Sequence, residues 1–499
     1  MKKIFWIPFI VFSCMVWLCN CNNNDLEKIR NKNIREGNHL AQIHCVSCHQ
    51  YPDPSLLDKL TWGNYVLPKM GELAGFRDLG FYRYVENGKE RTMDLEEWNK
   101  IVQYYLAQSP GELNKREETN IRIGLNQFNV QIPALNIMHP ATTLVNTKFS
   151  DHGFFFGDGQ TEQVYFVHNN YPAVDSFPAA KGVSNLHDND TTLQLLTMGV
   201  LRPSDSKEGK LLSVNKFSKK TVVLLDSLQR PVHATYADLN NDHLEDIVIS
   251  EFGDNMGQLA WYENKGGNKY ASHILRPLPG AIKTEIYDFN NDGLPDLAAM
   301  MAQGDESVFI YYNLGNGIFK ETRILQLPPS YGSNYFELVD FNKDGHPDII
   351  ATNGDNGDYP PVLKPYHGIR IYLNDGNNNF KEEIFLPMNG VGKANAKDFD
   401  GDGDIDIASI SFFPDYNNNP EEGFIYWVNT GGLSFEPSSF SDVTAGRWLT
   451  MDAGDIDSDG DIDVVLGNAA LSIGAVPDLL KKKWNKYSPP VLVLKNTLH

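Results

Sequence analysis

Two thiols and an imidazole stand together in Cys45-Val46-Ser47-Cys48-His49. Cysteines at i and i+3 sit about one helical turn apart on one face. Each can add to one vinyl group of a haem, and the adjoining imidazole can then turn to the iron. That spacing is the attachment signature of a c-type haem, with His49 as proximal ligand. A structural zinc site would need four ligands, and beyond this cluster only His39 and His44 are near. A redox dithiol of the thioredoxin kind needs a βαβ setting, whereas residues 25–44 read as helix. Two methionines compete for the opposite axial position. Met70, in Leu67-Pro68-Lys69-Met70-Gly71, is the first choice and Met93 the rival; packing is the ordinary role of either. A Met/His pair raises the iron's potential relative to His/His and suits electron transfer.

A second chemistry is written in carboxylates. An acidic nonamer starts at Asp238, Asp288, Asp340, Asp398 and Asp455. Its oxygen-bearing positions 1, 3, 5 and 9 are Asp238, Asn240, Asp242 and Asp246 in the first copy, and Asp288, Asn290, Asp292 and Asp296 in the second. The third has Asp340, Asn342, Asp344 and Asp348, the fourth Asp398, Asp400, Asp402 and Asp406, and the last Asp455, Asp457, Asp459 and Asp463. These hard ligands, with a carbonyl at position 7, suit Ca²⁺, up to five ions in all. Position 6 makes the sharp turn and is glycine in four copies, but His243 in the first, which is expected to weaken or distort that site. An EF-hand is excluded, because position 12 is Ile249, Ala299, Ala351, Ser409 or Leu466, not Glu. Without a cation, so many clustered carboxylates would repel one another.

The elements that position these loops follow from the repeat itself. The nonamers start 50, 52, 58 and 57 residues apart. A short strand precedes each and another follows. A further marker, an apolar and mostly aromatic strand ending in Asn, recurs at Asn264, Asn313, Asn374, Asn429 and Asn496, and also at Asn169 and Asn215. That makes seven units of about four strands, the pattern of a β-propeller. The last unit lacks a fourth strand, and the segment Ile121 to Ile132 is free to supply it. Closure of this kind removes exposed sheet edges. In the N-terminal part, residues 96–106 place Trp98, Ile101, Val102 and Tyr105 on one helical face.

The bulk numbers frame this. With 499 residues the chain needs more than one core. Net charge is −21, which argues against nucleic acid as a partner. Lys2 and Lys3 precede an apolar run from Ile4 to Leu18, too short to span a bilayer, so residues 1–21 read as a secretory signal. Cys21, followed by Asn22, Asn23 and Asn24, resembles the lipidated cysteine of bacterial lipoproteins, with Cys14 and Cys19 as weaker candidates. The expected location is therefore the periplasm or cell surface, lipid-anchored to a bacterial membrane, the outer one. Only Cys45 and Cys48 remain in the folded body, so there is no disulfide framework.

Residues 25–112 resemble cytochrome c. Residues 118–499 resemble the FG-GAP/VCBS-type repeat propellers, related to integrin heads and bacterial surface proteins, and the nonamers match that family's calcium loop apart from His243. The combination resembles exported cytochrome–propeller proteins of Gram-negative bacteria. The resemblance implies a small all-α cytochrome c domain followed by an all-β seven-bladed propeller. It implies covalent haem c on Cys45, Cys48, His49 and Met70, with Ca²⁺ in the loops.

Three roles follow. An electron carrier would pass electrons to or from a redox partner protein or a small-molecule donor. A propeller dehydrogenase would oxidise a sugar or alcohol and use the haem as internal acceptor. A surface platform would bind a glycan or a protein. For the dehydrogenase, the insert Asp355 to Gly368 carries Asp358, Tyr359, Lys364, Tyr366 and His367, although a long blade loop is its simpler reading. Tryptophan-docking repeats and a vicinal cysteine pair, marks of quinoprotein dehydrogenases, are absent. His152, His187 and His233 are scattered and read as structural.

Overall fold

The structure is a computed structural model that describes residues 27–28, 30–116, 118–148, 152–169, 174–357, 361–471 and 474–498. The expected export segment and its cysteines lie outside these residues. The chain divides into two compact units, with the division between Asn114 and Lys115. Among the described residues no helix is long and apolar enough to cross a membrane.

The first unit is mainly helical. Helical residues 30–44 run into a 3₁₀ turn, Cys45–Ser47, and the helix Leu95–Gln108 closes the unit. That last helix starts at a capping box: Asp94 accepts from the Glu97 N–H while the Glu97 side chain accepts from the Asp94 N–H. Its buried face presents Trp98, Ile101, Val102, Tyr104 and Tyr105, the helical stripe seen in the sequence plus one tyrosine. Trp62 packs on Tyr105 with ring centroids 4.4 Å apart. Each such buried ring contributes about 2 kcal/mol. The unit is not purely α-helical: Phe76–Asp78 and Tyr84–Glu86 pair as an antiparallel ribbon. The ribbon exists because Phe76 and Tyr84 both have a tryptophan, Trp98, to cover.

The second unit is a closed seven-bladed propeller. Each blade is built on four antiparallel strands, such as Ala281–Tyr287, Asp296–Met301, Ser307–Asn313 and Phe319–Gln326 in the fourth. The first strands of successive blades touch in turn around the axis, and Trp448–Gly454 of the seventh meets Thr142–Asn146 of the first. Second strands show no polar alternation because a neighbouring blade covers each face. Asp246–Glu251, Asp296–Met301, Asp348–Asn353, Asp406–Ser411 and Asp463–Asn468 are buried throughout. Fourth strands face solvent, and the charged residues of Phe319–Gln326 and Phe380–Pro387 are exposed.

The seventh blade is completed from the start of the unit. Phe128–Gln131 pairs antiparallel with Val491–Asn496. Phe128 is buried against the rings of Phe399 and Tyr426, at 6.0 and 5.2 Å. The segment does one thing the sequence did not indicate: Arg122–Ile123 adds in parallel to Phe435–Ser439 as a fifth strand of the sixth blade. Upstream, Arg116 is ion-paired with the buried Glu422 of that blade.

Candidate functional site

In the first unit, the 3₁₀ turn sets Cys45 and Cys48 on one side of the chain, with the N–H groups of Cys48 and His49 both directed at the Cys45 carbonyl. The thiols are free. Cys45 is partly buried and packs against the aromatic core, whereas Cys48 is exposed. Burial pushes the Cys45 thiol up to about 11, against a hydrogen bond with Tyr105. A thiol so placed is a poor disulfide or metal partner in water. His49 Nδ1 lies 2.8 Å from the Gln50 carbonyl, and a donated Nδ1–H there leaves Nε2 as the basic nitrogen. Met70 and Met93 are both partly buried against the same core as Cys45, so packing alone does not separate them. Two donors in that core, Tyr84 Oη and Trp98 Nε1, are buried without a hydrogen-bond partner. An unserved buried donor costs about 1–3 kcal/mol, so two in one small core are conspicuous.

The five acidic loops each join the first strand of a blade to the second. Strands alternate in direction, so all five emerge at one end of the ring. Within each loop the first carboxylate accepts from the N–H of position 6, at 2.8–3.1 Å. The fifth accepts from position 7 at 2.7–3.3 Å. These bonds fold positions 1, 3 and 5 over the loop. Ligand oxygens of Asp398, Asp400 and Asp402 lie within 4.8 Å of one another, as do those of Asp455, Asp457 and Asp463. Such spacing suits one hard cation. His243 does not distort its loop. It takes φ +67°, the left-handed conformation that Gly293 takes at φ +84°, and its loop keeps the same hydrogen bonds.

Position 9 does more than offer a ligand. Its carboxylate is buried and holds two strands together. One oxygen accepts from the position 2 N–H at 2.9–3.3 Å. The other accepts from the N–H of the Asn that ends the third strand, at 2.7–2.8 Å. That Asn in turn donates from Nδ2 to the position 8 carbonyl at 3.0–3.2 Å. The two sequence markers are therefore halves of one clamp. Burial raises the position 9 acids above the usual range, Asp406 to about 6 and Asp463 to about 7.

Connections from second to third strands emerge at the opposite end. There the insert after Asp348–Asn353 carries Asp355, Lys364, Tyr366 and His367; Asp358 and Tyr359 lie outside the described residues. Lys364 is buried, with Nζ 3.3 Å from the Asp355 carbonyl. His367 is 1 % exposed, and its Nε2 has no hydrogen-bond partner. Burial first, then Lys364, Arg370 and Arg116, holds it neutral. Nearby, the buried Glu306 accepts from the N–H groups of Gly332 and Ser333 and from Ser333 Oγ. Burial pushes its carboxyl up to about 7. Glu306 belongs to no motif, so the sequence offered no signal for it. The scattered histidines stay apart: His187 stacks on Tyr236 at 3.9 Å, His233 sits beside Thr235 and Thr284 on an axial strand, and His152 is exposed.

Comparison with known proteins bears on the second unit. Residues 238–299, 288–351 and 398–466 match the FG-GAP-like repeat family, and the chain carries FG-GAP repeats. It is 29% identical over 370 residues to a T-cell immunomodulatory protein homolog of Plasmodium falciparum, covering 66% of this chain and 45% of that protein. It is 26% identical over 257 residues to the Plasmodium yoelii yoelii homolog, covering 44% and 34%. The chain thus spans less than half the length of these curated relatives. Among solved structures it is similar to a streptogramin B lyase, at 11% identity and a TM-score of 0.48, covering 74% of this chain and 98% of that one.

Proposed function

We propose that this is an exported electron-transfer protein in which the first unit holds haem c and the FG-GAP propeller is its calcium-stiffened platform. The observation that carries the reading is Cys45-Val46-Ser47-Cys48-His49, whose thiols are unpaired and are the only cysteines among the described residues. Bound there, haem c supplies one-electron transfer at its iron. Cys45 and Cys48 would hold it covalently, His49 would ligate its iron through Nε2, and Met70, with Met93 as rival, would offer a thioether ligand. The orphaned Tyr84 Oη and Trp98 Nε1 fit a group with acidic edges, since both are donors awaiting acceptors. The platform's acidic loops suit Ca²⁺, which would offset their mutual repulsion and stiffen each first-to-second strand turn. Export and a lipid anchor at Cys21 would place the haem beside a membrane, within reach of a redox partner protein.

The test is purification of chain made where haem maturation operates, followed by absorption spectroscopy and mass analysis of the peptide spanning Cys45 and Cys48. A Soret band and a covalent porphyrin mass are expected. Their absence would sink the electron-transfer reading and leave the propeller platform. Haem reduction by added sugars or alcohols, without a protein donor, would instead favour the dehydrogenase. The observation on that side is the buried set of Glu306, Lys364 and His367.

A further inference from the structure

One position next to the acidic loops differs in sign from blade to blade. It is the residue before the clamp asparagine: Glu263, Tyr312, Leu373, Val428 and Lys495. In the two blades where it is charged, its side chain reaches the third residue of the loop. In the third blade, Glu263 Oε1 accepts from Asn240 Nδ2 at 3.0 Å. In the seventh, the same place is held by a cation. Lys495 Nζ is hydrogen-bonded to Asp457 Oδ2 and lies 3.5 Å from Asp459 Oδ2. Asp457 and Asp459 are the third and fifth positions, two of the oxygens a divalent ion would need. Among the described residues no other acidic loop pairs a lysine or arginine with its first, third or fifth residue. Lys343 reaches only Asp404, the seventh position of its neighbour's loop.

We infer that Lys495 is a built-in counter-ion of the Asp455–Asp463 loop, so that this loop takes a divalent cation last and least tightly of the five. The inference rests on the reading of the loops as calcium sites. An ammonium contacting both carboxylates already neutralises part of their repulsion, so an arriving ion must displace it. Asp457 keeps a second oxygen, Oδ1, buried and without a hydrogen-bond partner. The Lys495 side chain is 31% exposed and has room to swing out. The loop therefore has two ways to be satisfied, one needing no metal. It belongs to the blade that closes the ring, where Lys495 also pairs in register with Asn129 of the closing strand. Closure is in this way made independent of calcium supply.

The test compares the full chain with Lys495→Val, which copies the sixth blade's residue, at one fixed free calcium concentration. Calcium per chain is counted by elemental analysis, and melting temperature is read in chelator. The variant should retain about one more calcium per chain and melt lower than wild type once calcium is removed. Lys343→Val should leave the count unchanged. Equal non-zero counts in wild type and Lys495→Val would overturn this inference alone. Equal counts of zero would overturn it together with the calcium reading. Should Lys495→Val fail to fold, Lys495→Gln gives the same comparison.

Discussion

The backbone N–H of Asn313 donates to Asp296 Oδ1 at 2.7 Å, and the Asn313 side chain donates to the carbonyls of Pro295 and, across the blade boundary, Leu239, at 3.2 and 2.9 Å. Both residues are fully buried. The side chain must donate, so shape alone cannot replace it. Asn313→Ala should destabilise the propeller by about 2–3 kcal/mol. Asn313→Asp, although isosteric, should cost more, because it sets a second carboxylate beside Asp296. Chemical denaturation of both variants checks the order; an Asp variant as stable as wild type would remove the clamp.

The first acidic loop carries a strained residue at position 6, where the other four loops have glycine. His243 holds a left-handed backbone conformation with its side chain in solvent. Glycine adopts that conformation without strain, so His243→Gly should raise stability by about 1 kcal/mol. Thermal melts in chelator and in calcium separate that backbone effect from any change in ion binding.

Phe128 is the anchor of the closing strand. Truncation to Ala should cost about 3–4 kcal/mol, as for other buried phenylalanines. The loss should appear first as faster hydrogen exchange in Val491–Asn496, before the second to sixth blades respond.

Glu306 gives the propeller a pH dependence. Its folded value, about 7, stands above the ordinary 4.5, so the folded state holds its proton more tightly than the unfolded chain. The stabilisation is full below the unfolded value and is lost as pH rises through about 7, by up to roughly 3 kcal/mol. Glu306→Gln should reduce the slope of melting temperature over that window without abolishing it, because Asp406 and Asp463 also titrate there. An unchanged slope would place the dependence elsewhere.

Met70 and Met93 make the last pair. With haem bound, replacing the true axial thioether by Ala should shift the spectrum and lower the midpoint potential, whereas replacing the other should change only stability.

The propeller was legible because its signals repeat. Five nonamers and seven apolar, mostly aromatic strands ending in Asn set the blade count, and the missing fourth strand pointed to Ile121–Ile132. What the markers do for each other was not legible. Asp296 and Asn313 are far enough apart that only the folded hairpin brings them together. Arg122–Ile123 carries no strand pattern, being two residues paired at an edge. Phe76–Asp78 and Tyr84–Glu86 were missed for the same reason: three-residue strands leave no periodicity to read. Glu306 and Lys495 were invisible because their meaning comes from neighbours on other strands.

The seventh blade draws its outer strand from the start of the unit and its other three from the end. The second to sixth blades can each zip up from adjacent hairpins. The seventh must wait for the most distant pairing in the unit, the kind of contact that forms slowest. Until then both partners expose open edges, and a newly made chain passes through a stage prone to self-association. A circular permutant cut in an exposed turn between two other blades, with Asn496 joined to Phe128 through a short turn, would turn that late encounter into a local hairpin and shorten the vulnerable interval.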